Sequence, residues 1–581
     1  MRVEVRGIAA SLGIAVGTSH VVPRLGRAAR QEVADRTEEV ARLRAAIEAS
    51  RQEIEEAKTA FGGAEETRLV LEAQLLMHRD ELLANGAIRR IEREGVNAEW
   101  ALEQAVTELK APLEAASARY FRERAQDIVH VGQHILRHLR GRQDRLALPD
   151  REVILVATDL SPADAVRLLG DGRVLGLVTE LGSSTSHTAL LARALQVPAV
   201  VGTGALLDRI EGSEVTVIVD GLRGRVVLDP RDEERAYAEK RGERFRRFAS
   251  ELKKKADEPV ASKDGVAVEI LANIELPAEA VAARAHGARG VGLYRSEFVF
   301  LDRDEVPSED EQVRVYADVV EICGGRPVTF RTFDLGGDKL PRSVRVQPGP
   351  NPALGMRAIR LMSARPELLR RQVRAILRAA SVGTVGLMFP MVEGPSTFRV
   401  LRGLVEACAS ELDAEGVARG TPEVGAMIEI PSAALLAREL AQEADFVSVG
   451  TNDLVQYTLA VDRGNADVAA LADPLHPAVV RLLAHVVQCG AAADTPVTMC
   501  GDMAADPVAL PVVLGLGFRR ISLPTVSLPF AQELVRRVEI EALMQLAVEV
   551  LESTSAAATR GLVRERLGDT LGGLWAEQGL S

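Results

Sequence analysis

The sequence predicts a multidomain α/β protein: a small α/β domain interrupted by a helical bundle, then a linker helix, then a (β/α)8 barrel. Three observations predict it. Residues 33–141 place apolar side chains at helical spacing, residues 151–230 turn to short β-rich runs, and from Gly265 strand-like and helical runs alternate eight times. The 581 residues also exceed what a single hydrophobic core accommodates, so two to four domains are expected.

The first segment, GIAASLGIAVGTSHVV, is β-like and is expected to join the small α/β sheet. Residues 31–141 then become an insertion between residues 1–30 and 142–230 of that domain. In the insertion Val40, Leu43, Ile47 and Ile54 keep helical spacing, as do LVLEAQLLMHRDELL, AEWALEQAVTELKAPLEAASARYF and RERAQDIVHVGQHILRHLRG, with Gly141 placed as a stop. REVILVATDL, RVLGLVTEL and SEVTVIVDGLRGRVVLDP supply strands of the α/β domain. Residues 231–258 are densely charged with no clear apolar face and read as a solvated linker helix. Residues 259–581 hold the eight expected barrel strands: VAVEILANI, ARGVGLYRSEF, RPVTFRTFDLGG, TVGLMFPMV, EVGAMIEIPSA, ADFVSVGTNDL, TPVTMCGDMA and FRRISLPTVSL.

Composition narrows the function. Apolar residues make up 47% and charged residues 27%, the balance of an ordinary soluble protein. Aromatics are only 3% and the net charge is −12, so the core must be aliphatic and nucleic acid is not an expected partner. Cys323, Cys408, Cys489 and Cys500 show no paired spacing, which suits a reducing cytosol. No apolar run approaches the ~18–20 residues that span a bilayer, and the glycines and Glu4 of the first segment favour a strand over a signal peptide. A cytoplasmic protein without membrane insertion is expected.

Barrel active sites gather at the C-terminal ends of the strands. Strand two ends with Arg295, strand three with Arg331 and Asp334, strand five with Glu429, strand six with Asn452 and Asp453, and strand seven with Cys500 and Asp502; Arg463 follows strand six. Single charged residues at such positions often only cap loops. As a set they define a ligand. Glu429 and Asp453 are hard oxygen ligands, few enough for Mg²⁺, while Arg295, Arg331 and Arg463 match phosphate and carboxylate. Phosphoenolpyruvate carries both groups. Cys500 has no neighbouring base in the sequence, so its thiol is expected to be protonated and able to supply a proton to the enolate of pyruvate.

A second candidate lies in GSSTSHTALLARAL, where a cap at Thr185 or Ser186 sets His187 at a helix N-terminus, a place that favours an anion. His130, His134 and His138 recur at i, i+4 and i+8. No acidic or cysteine residue interleaves with them on that face, so they read as a partly exposed helix face and not as a metal site. Lys339, in GGDK, is as well explained as a loop charge as a ligand, and the glycines at Gly287, Gly290 and Gly292 as a tight turn.

These residues sit in runs that extend over nearly the whole chain: GIAASLGIAVG, ARYFRERAQDI, TSHTALLARALQVPAVVGT, GVGLYRSEFVFLDR, FRTFDLGGDK, NPALGMRAIRLM, MIEIPSAALLA, VSVGTNDLVQYTLAVDR, DPLHPAV and MCGDMA. The chain resembles enzyme I of the bacterial sugar phosphotransferase system, the phosphoenolpyruvate–protein phosphotransferases. Several runs are shared with pyruvate phosphate dikinases and phosphoenolpyruvate synthases, and the domain order separates them. The resemblance implies phosphorylation of His187 at Nε2, Cys500 as proton donor, Mg²⁺ on Glu429 and Asp453, and phosphoenolpyruvate on Arg295, Arg331, Asn452, Asp453 and Arg463. It further implies that the helical insertion docks the phosphocarrier protein HPr, that the barrel forms a homodimer, and that the domains swing about the linker.

Three departures from the family pattern stand out. Gly182-Ser183-Ser184 replaces Gly-Gly-Arg, Asp502 replaces a glutamate, and Leu-Pro follows GGDK one residue early. Asp502, one methylene shorter, would slow protonation if that carboxylate positions the thiol. Rival readings are an ATP-using dikinase, disfavoured because no G-x-x-x-x-G-K-[ST] run occurs; a barrel lyase or aldolase without a carrier histidine; and a sensor that binds phosphoenolpyruvate. The chain starts at the family's start, which favours the sugar branch over a nitrogen-branch paralogue with an added sensory domain.

Overall fold

Apolar runs that alternate or continue through three to eight residues become sixteen strands in two sheets, and the computed structural model describes them within residues 2–23, 26–60, 75, 78, 81–114, 119–141, 148–182, 186–210, 214–256, 258–300, 305–336, 351–463, 465 and 468–577. The chain divides into one compact unit over Met1–Phe248 and a second over Ala249–Ala576.

In the first unit eight strands form one mixed sheet: β1 (Val3–Arg6), β2 (Ile8–Ser11), β3 (Ile14–Val21), β4 (Val153–Ala157), β5 (Val174–Thr179), β6 (Ala199–Val201), β7 (Thr216–Asp220) and β8 (Arg225–Leu228). Their order is β1-β8-β7-β3-β4-β5-β6-β2. The initial segment thus joins the sheet as expected, β3 lying parallel to β4 and antiparallel to β7. A single residue, Gly7, separates the two strands at opposite ends of that order, so the sheet curls until its ends meet. Nothing larger fits there: a Cβ on Gly7 would lie 2.6 Å from the Val201 carbonyl oxygen.

Between β3 and β4 run the helices α1 (Arg36–Ala60), α2 (Glu81–Glu94), α3 (Ala98–Glu114) and α4 (Arg119–Arg140), whose apolar faces share a core of Leu43, Leu83, Ile91, Leu102 and Ile135. Two helices, α5 (Pro162–Leu169) and α6 (His187–Ala194), cover the sheet. Arg137 of α4 pairs with the buried Asp164 of α5. Burial pushes the Asp164 carboxyl up, but Arg137, His134 and Ser161 together outweigh it and hold the group below the usual carboxylate range. The charged α7 (Asp232–Lys254) follows β8.

The second unit is a closed parallel barrel of β9 (Glu269–Ile274), β10 (Val291–Arg295), β11 (Val328–Arg331), β12 (Val385–Phe389), β13 (Glu423–Ile428), β14 (Phe446–Val449), β15 (Val497–Met499) and β16 (Arg520–Pro524). All eight follow the predicted runs, and β16 pairs with β9 to close the ring. Buried aliphatic residues dominate, and beside β10 and β11 the rings of Tyr294, Tyr316 and Phe330 meet with centroids 5.0–6.2 Å apart. Beside them Gln372 donates to Ser296 Oγ (2.8 Å), which donates to the Arg331 carbonyl (2.7 Å) and fixes the end of β11.

Candidate active site

Parallel strands present their C-terminal ends on one rim, and the predicted polar residues collect there. Arg295 ends β10 and donates to Glu275 Oε1 at 2.6 Å. Arg331 ends β11, donates to Glu297 Oε1 at 2.7 Å and lies 3.5 Å from Asp334 Oδ2. Its Nε is buried and without a hydrogen-bond partner among the described residues. Burial works against the Arg331 charge, yet Glu297, Asp334 and Glu429 hold its pKa above the ordinary arginine value.

Glu429 follows β13, is 1% exposed, and accepts a hydrogen bond from Met391 N at 2.7 Å. Asp453 lies in the first turn of the helix Thr451–Leu459 that follows β14. One carboxylate oxygen from each of Asp334, Glu429 and Asp453 lies within 4.8 Å of the others. Burial, then Asp334 and Asp453, push the Glu429 carboxyl up to about 8. Such a group of hard oxygen donors fits a divalent cation, whose charge would offset that crowding. The site is shaped around Glu429: a Cβ on Gly450 would stand 2.8 Å from Glu429 Oε2.

Arg463 reaches Asp453 at 3.6 Å with its side chain 44% exposed, so it lies at the outer edge of the mouth. Asn452 donates to Asp502 Oδ2 at 2.8 Å and accepts from the Asp502 amide at 3.0 Å. The Asp502 carboxylate therefore orients Asn452. Cys500, just past β15, is buried beneath the rim against Leu293, Met388, Met427 and Phe446, its Sγ 3.8 Å from the Gly292 carbonyl. Burial pushes its thiol up to about 12. It is a protonated, non-nucleophilic sulfur at neutral pH.

Sequence reasoning missed Arg357. Its Nε and Nη2 grip Asp334 Oδ1 and Oδ2 at 3.0 and 2.7 Å, and its Nη1 lies 3.4 Å from Asp453 and 3.1 Å from Tyr457 Oη. It belongs to the NPALGMRAIRLM run but to no strand end, so position along a strand gave no signal. Glu297, two residues past Arg295, was passed over for the same reason. Lys339, Ser183, Ser184 and Thr185 lie outside the described residues.

In the first unit Ser186 caps α6, its Oγ accepting from Ala189 N at 3.3 Å, and His187 is the first helical residue. The His187 side chain lies outside the described residues. Its neighbour Thr188 donates to the Leu160 carbonyl at 3.2 Å. Two of the three histidines of α4 depart from expectation. His130 and His134 are 7% and 1% exposed, not on a solvated face, and acidic partners come from elsewhere: Asp159 for His130 at 3.1 Å, and Glu53 of α1 for His138 at 2.8 Å.

Comparison with known proteins agrees with this layout. Three family models match in order: PEP-utilising enzyme, N-terminal, over residues 6–124; PEP-utilising enzyme, mobile domain, over 149–224; and PEP-utilising enzyme, PEP-binding domain, over 249–540. A phosphoenolpyruvate-protein phosphotransferase of Geobacillus stearothermophilus is 38% identical over 565 residues, covering 96% of this chain and 97% of that one. One from Listeria monocytogenes is 39% identical over 571 residues, covering 97% and 99%. One from Bacillus subtilis is 36% identical over 568 residues, again covering 97% and 99%. With similarity of this depth over nearly the full length, the chain belongs to the family of phosphoenolpyruvate-protein phosphotransferases.

Proposed function

We propose that this chain takes the phosphoryl group of phosphoenolpyruvate onto Nε2 of His187, releases pyruvate, and passes the group to a histidine of an HPr-type phosphocarrier protein. The observation that carries the reading is the barrel mouth. Arginines and three carboxylates crowd one rim directly above a buried, protonated thiol.

Phosphoenolpyruvate binds through Arg295, Arg331 and Arg463, with Asn452 and Asp453 completing the contacts. Arg357 and Glu297 hold the carboxylate and guanidinium groups of that mouth in register. Mg²⁺ on Glu429 and Asp453 would supply charge neutralisation at the phosphoryl and carboxylate oxygens. A His187 nitrogen forms the new P–N bond as the P–O bond to the enol oxygen breaks. The electron pair stays with the enolate, which takes a proton at its terminal carbon from Cys500 Sγ, and solvent returns a proton to the sulfur. A thiol held protonated by burial suits this donor role. In the second half-reaction the phosphoryl group leaves His187 for the carrier's histidine. The helix start favours the anionic intermediate.

On this reading residues 1–30 and 142–230 form the phosphohistidine domain, 31–141 dock the carrier, 231–258 link, and 259–581 bind substrate and pair as a homodimer. No helix among the described residues is long and apolar enough to cross a membrane.

Intact-protein mass spectrometry after mixing with phosphoenolpyruvate and Mg²⁺ tests the first step. An acid-labile phosphoryl adduct is expected on the wild type and none on His187→Ala. A wild type that binds phosphoenolpyruvate yet gains no adduct overturns the reading, and turnover indifferent to His187→Ala points to a barrel lyase instead.

A further inference from the structure

We propose that Glu53, His134 and His138 form a binding site for one divalent transition-metal ion of the zinc class, at the junction of α1 with α4. The site is separate from the acidic cluster of the barrel and uses different donor chemistry.

One donor atom from each of the three residues lies within 4.8 Å of the other two. Glu53 Oε2 is 2.8 Å from His138 Nε2 and 3.7 Å from His134 Nε2. Zinc bonds of ~2.0–2.1 Å in a tetrahedron set neighbouring ligand atoms about 3.3 Å apart. The two spacings bracket that value, so small side-chain rotations complete the geometry. The i, i+4 separation of His134 and His138 puts both rings on one face of α4, and α1 brings the carboxylate to them.

Outer partners orient each ligand. Glu53 Oε1 accepts from Arg167 Nη1 of α5 at 3.2 Å, leaving Oε2 toward the histidines. His134 Nδ1 lies 2.6 Å from Ser50 Oγ, which is 2.7 Å from His78 Nε2. When Nδ1–H donates to Ser50 and Ser50 donates to His78, the His134 Nε2 lone pair faces a carboxylate. Two electron-rich atoms face to face are stabilised by a cation between them. Such second contacts, which fix tautomer and ring plane, are a regular feature of metal-binding histidines.

Two imidazoles with one carboxylate favour zinc, cobalt or nickel over magnesium, which prefers all-oxygen sites. The barrel cluster, with oxygen donors only, has the opposite preference. An ion bound at Glu53 would fasten α1 to α4 and, through Arg167, to α5.

The test uses the full-length protein, stripped with a chelator and held in excess Mg²⁺ to occupy the barrel cluster. Zn²⁺ is titrated by calorimetry and Co²⁺ by visible absorption. One zinc site is expected, with tetrahedral cobalt bands. His138→Ala and Glu53→Gln should each weaken it by at least about tenfold, and Ser50→Ala, which touches no metal, by about tenfold. Circular dichroism checks each fold; if Glu53→Gln unfolds, His138→Ala decides, since His138 is only half-buried. Absence of zinc binding, or affinity and cobalt spectrum unchanged in His138→Ala, overturns the proposal.

Discussion

At the barrel mouth each arginine already has a carboxylate partner: Arg295 with Glu275, Arg331 with Glu297, Arg357 with Asp334, Arg463 with Asp453. At the start of α6 the described residues show no arginine–carboxylate pairs of this kind: Ser186 caps an eight-residue helix at the Ala189 amide, Asp159 lies 3.4 Å from Thr188 Oγ1, and the attraction for an anion comes from backbone dipoles. The difference matches the two tasks proposed for these sites. A site that takes its ligand from solution can exchange internal ion pairs for ligand contacts, and a cation on the carboxylates makes that exchange less costly. A site that holds a transient covalent group must release it again, and weak backbone attraction allows this.

Four experiments break or sharpen this contrast. The largest effect concerns the buried sulfur. With its pKa moved from 9.0 to about 12, Cys500 should carry about 10³-fold less thiolate at pH 8 than an ordinary cysteine. The neutral form is the favoured one, so alkylation by iodoacetamide should remain slow from pH 7 to 9; rapid labelling would mean the thiol is not enclosed. Next, Glu429→Gln keeps an acceptor for Met391 N but removes the charge, and should slow adduct formation by about 10²-fold or more. An unchanged rate, measured by rapid quench and mass spectrometry, would remove the cation from the mechanism.

Gly501→Ala comes third. The added Cβ would fall 1.7 Å from Thr451 Oγ1 and 2.6 Å from its amide, so the turns after β14 and β15 must separate. A loss of about 1–3 kcal/mol in urea unfolding is expected, with weakened phosphoenolpyruvate binding. The smallest effect is Ser186→Ala, which deletes the α6 cap at a cost of about 1 kcal/mol. Faster hydrogen exchange at Ala189 with intact phosphoenolpyruvate binding would show that the two sites can be perturbed separately.

Much of this architecture was legible in the sequence because its signals are local. The eight barrel strands are short apolar runs ended by polar residues, and strand ends in a parallel barrel share a rim, so Arg295, Arg331, Glu429, Asp453 and Cys500 could be grouped without coordinates. Partners fixed by tertiary contact were not legible. Arg357 enters the mouth from a segment with no strand of its own. Asp502 looked like a neighbour of the thiol two residues away, yet it pairs with Asn452, fifty residues earlier. The acidic partners of the α4 histidines come from other elements, and Glu53, more than eighty residues before His138, is invisible to periodicity.

The curled sheet carries a consequence for how the chain is made. Residues 3–21 supply strands at both ends and in the middle of the order, and Ile14 pairs with Asp220 roughly 200 residues later. At ribosomal speeds of about 5–20 residues per second, those first strands wait about 10–40 s for partners. Meanwhile the helices of residues 36–140, whose contacts are nearer in sequence, can assemble first. The earliest-synthesised strands are thus among the last to be paired, and their Ile-, Ala- and Val-rich edges stay unpaired until then.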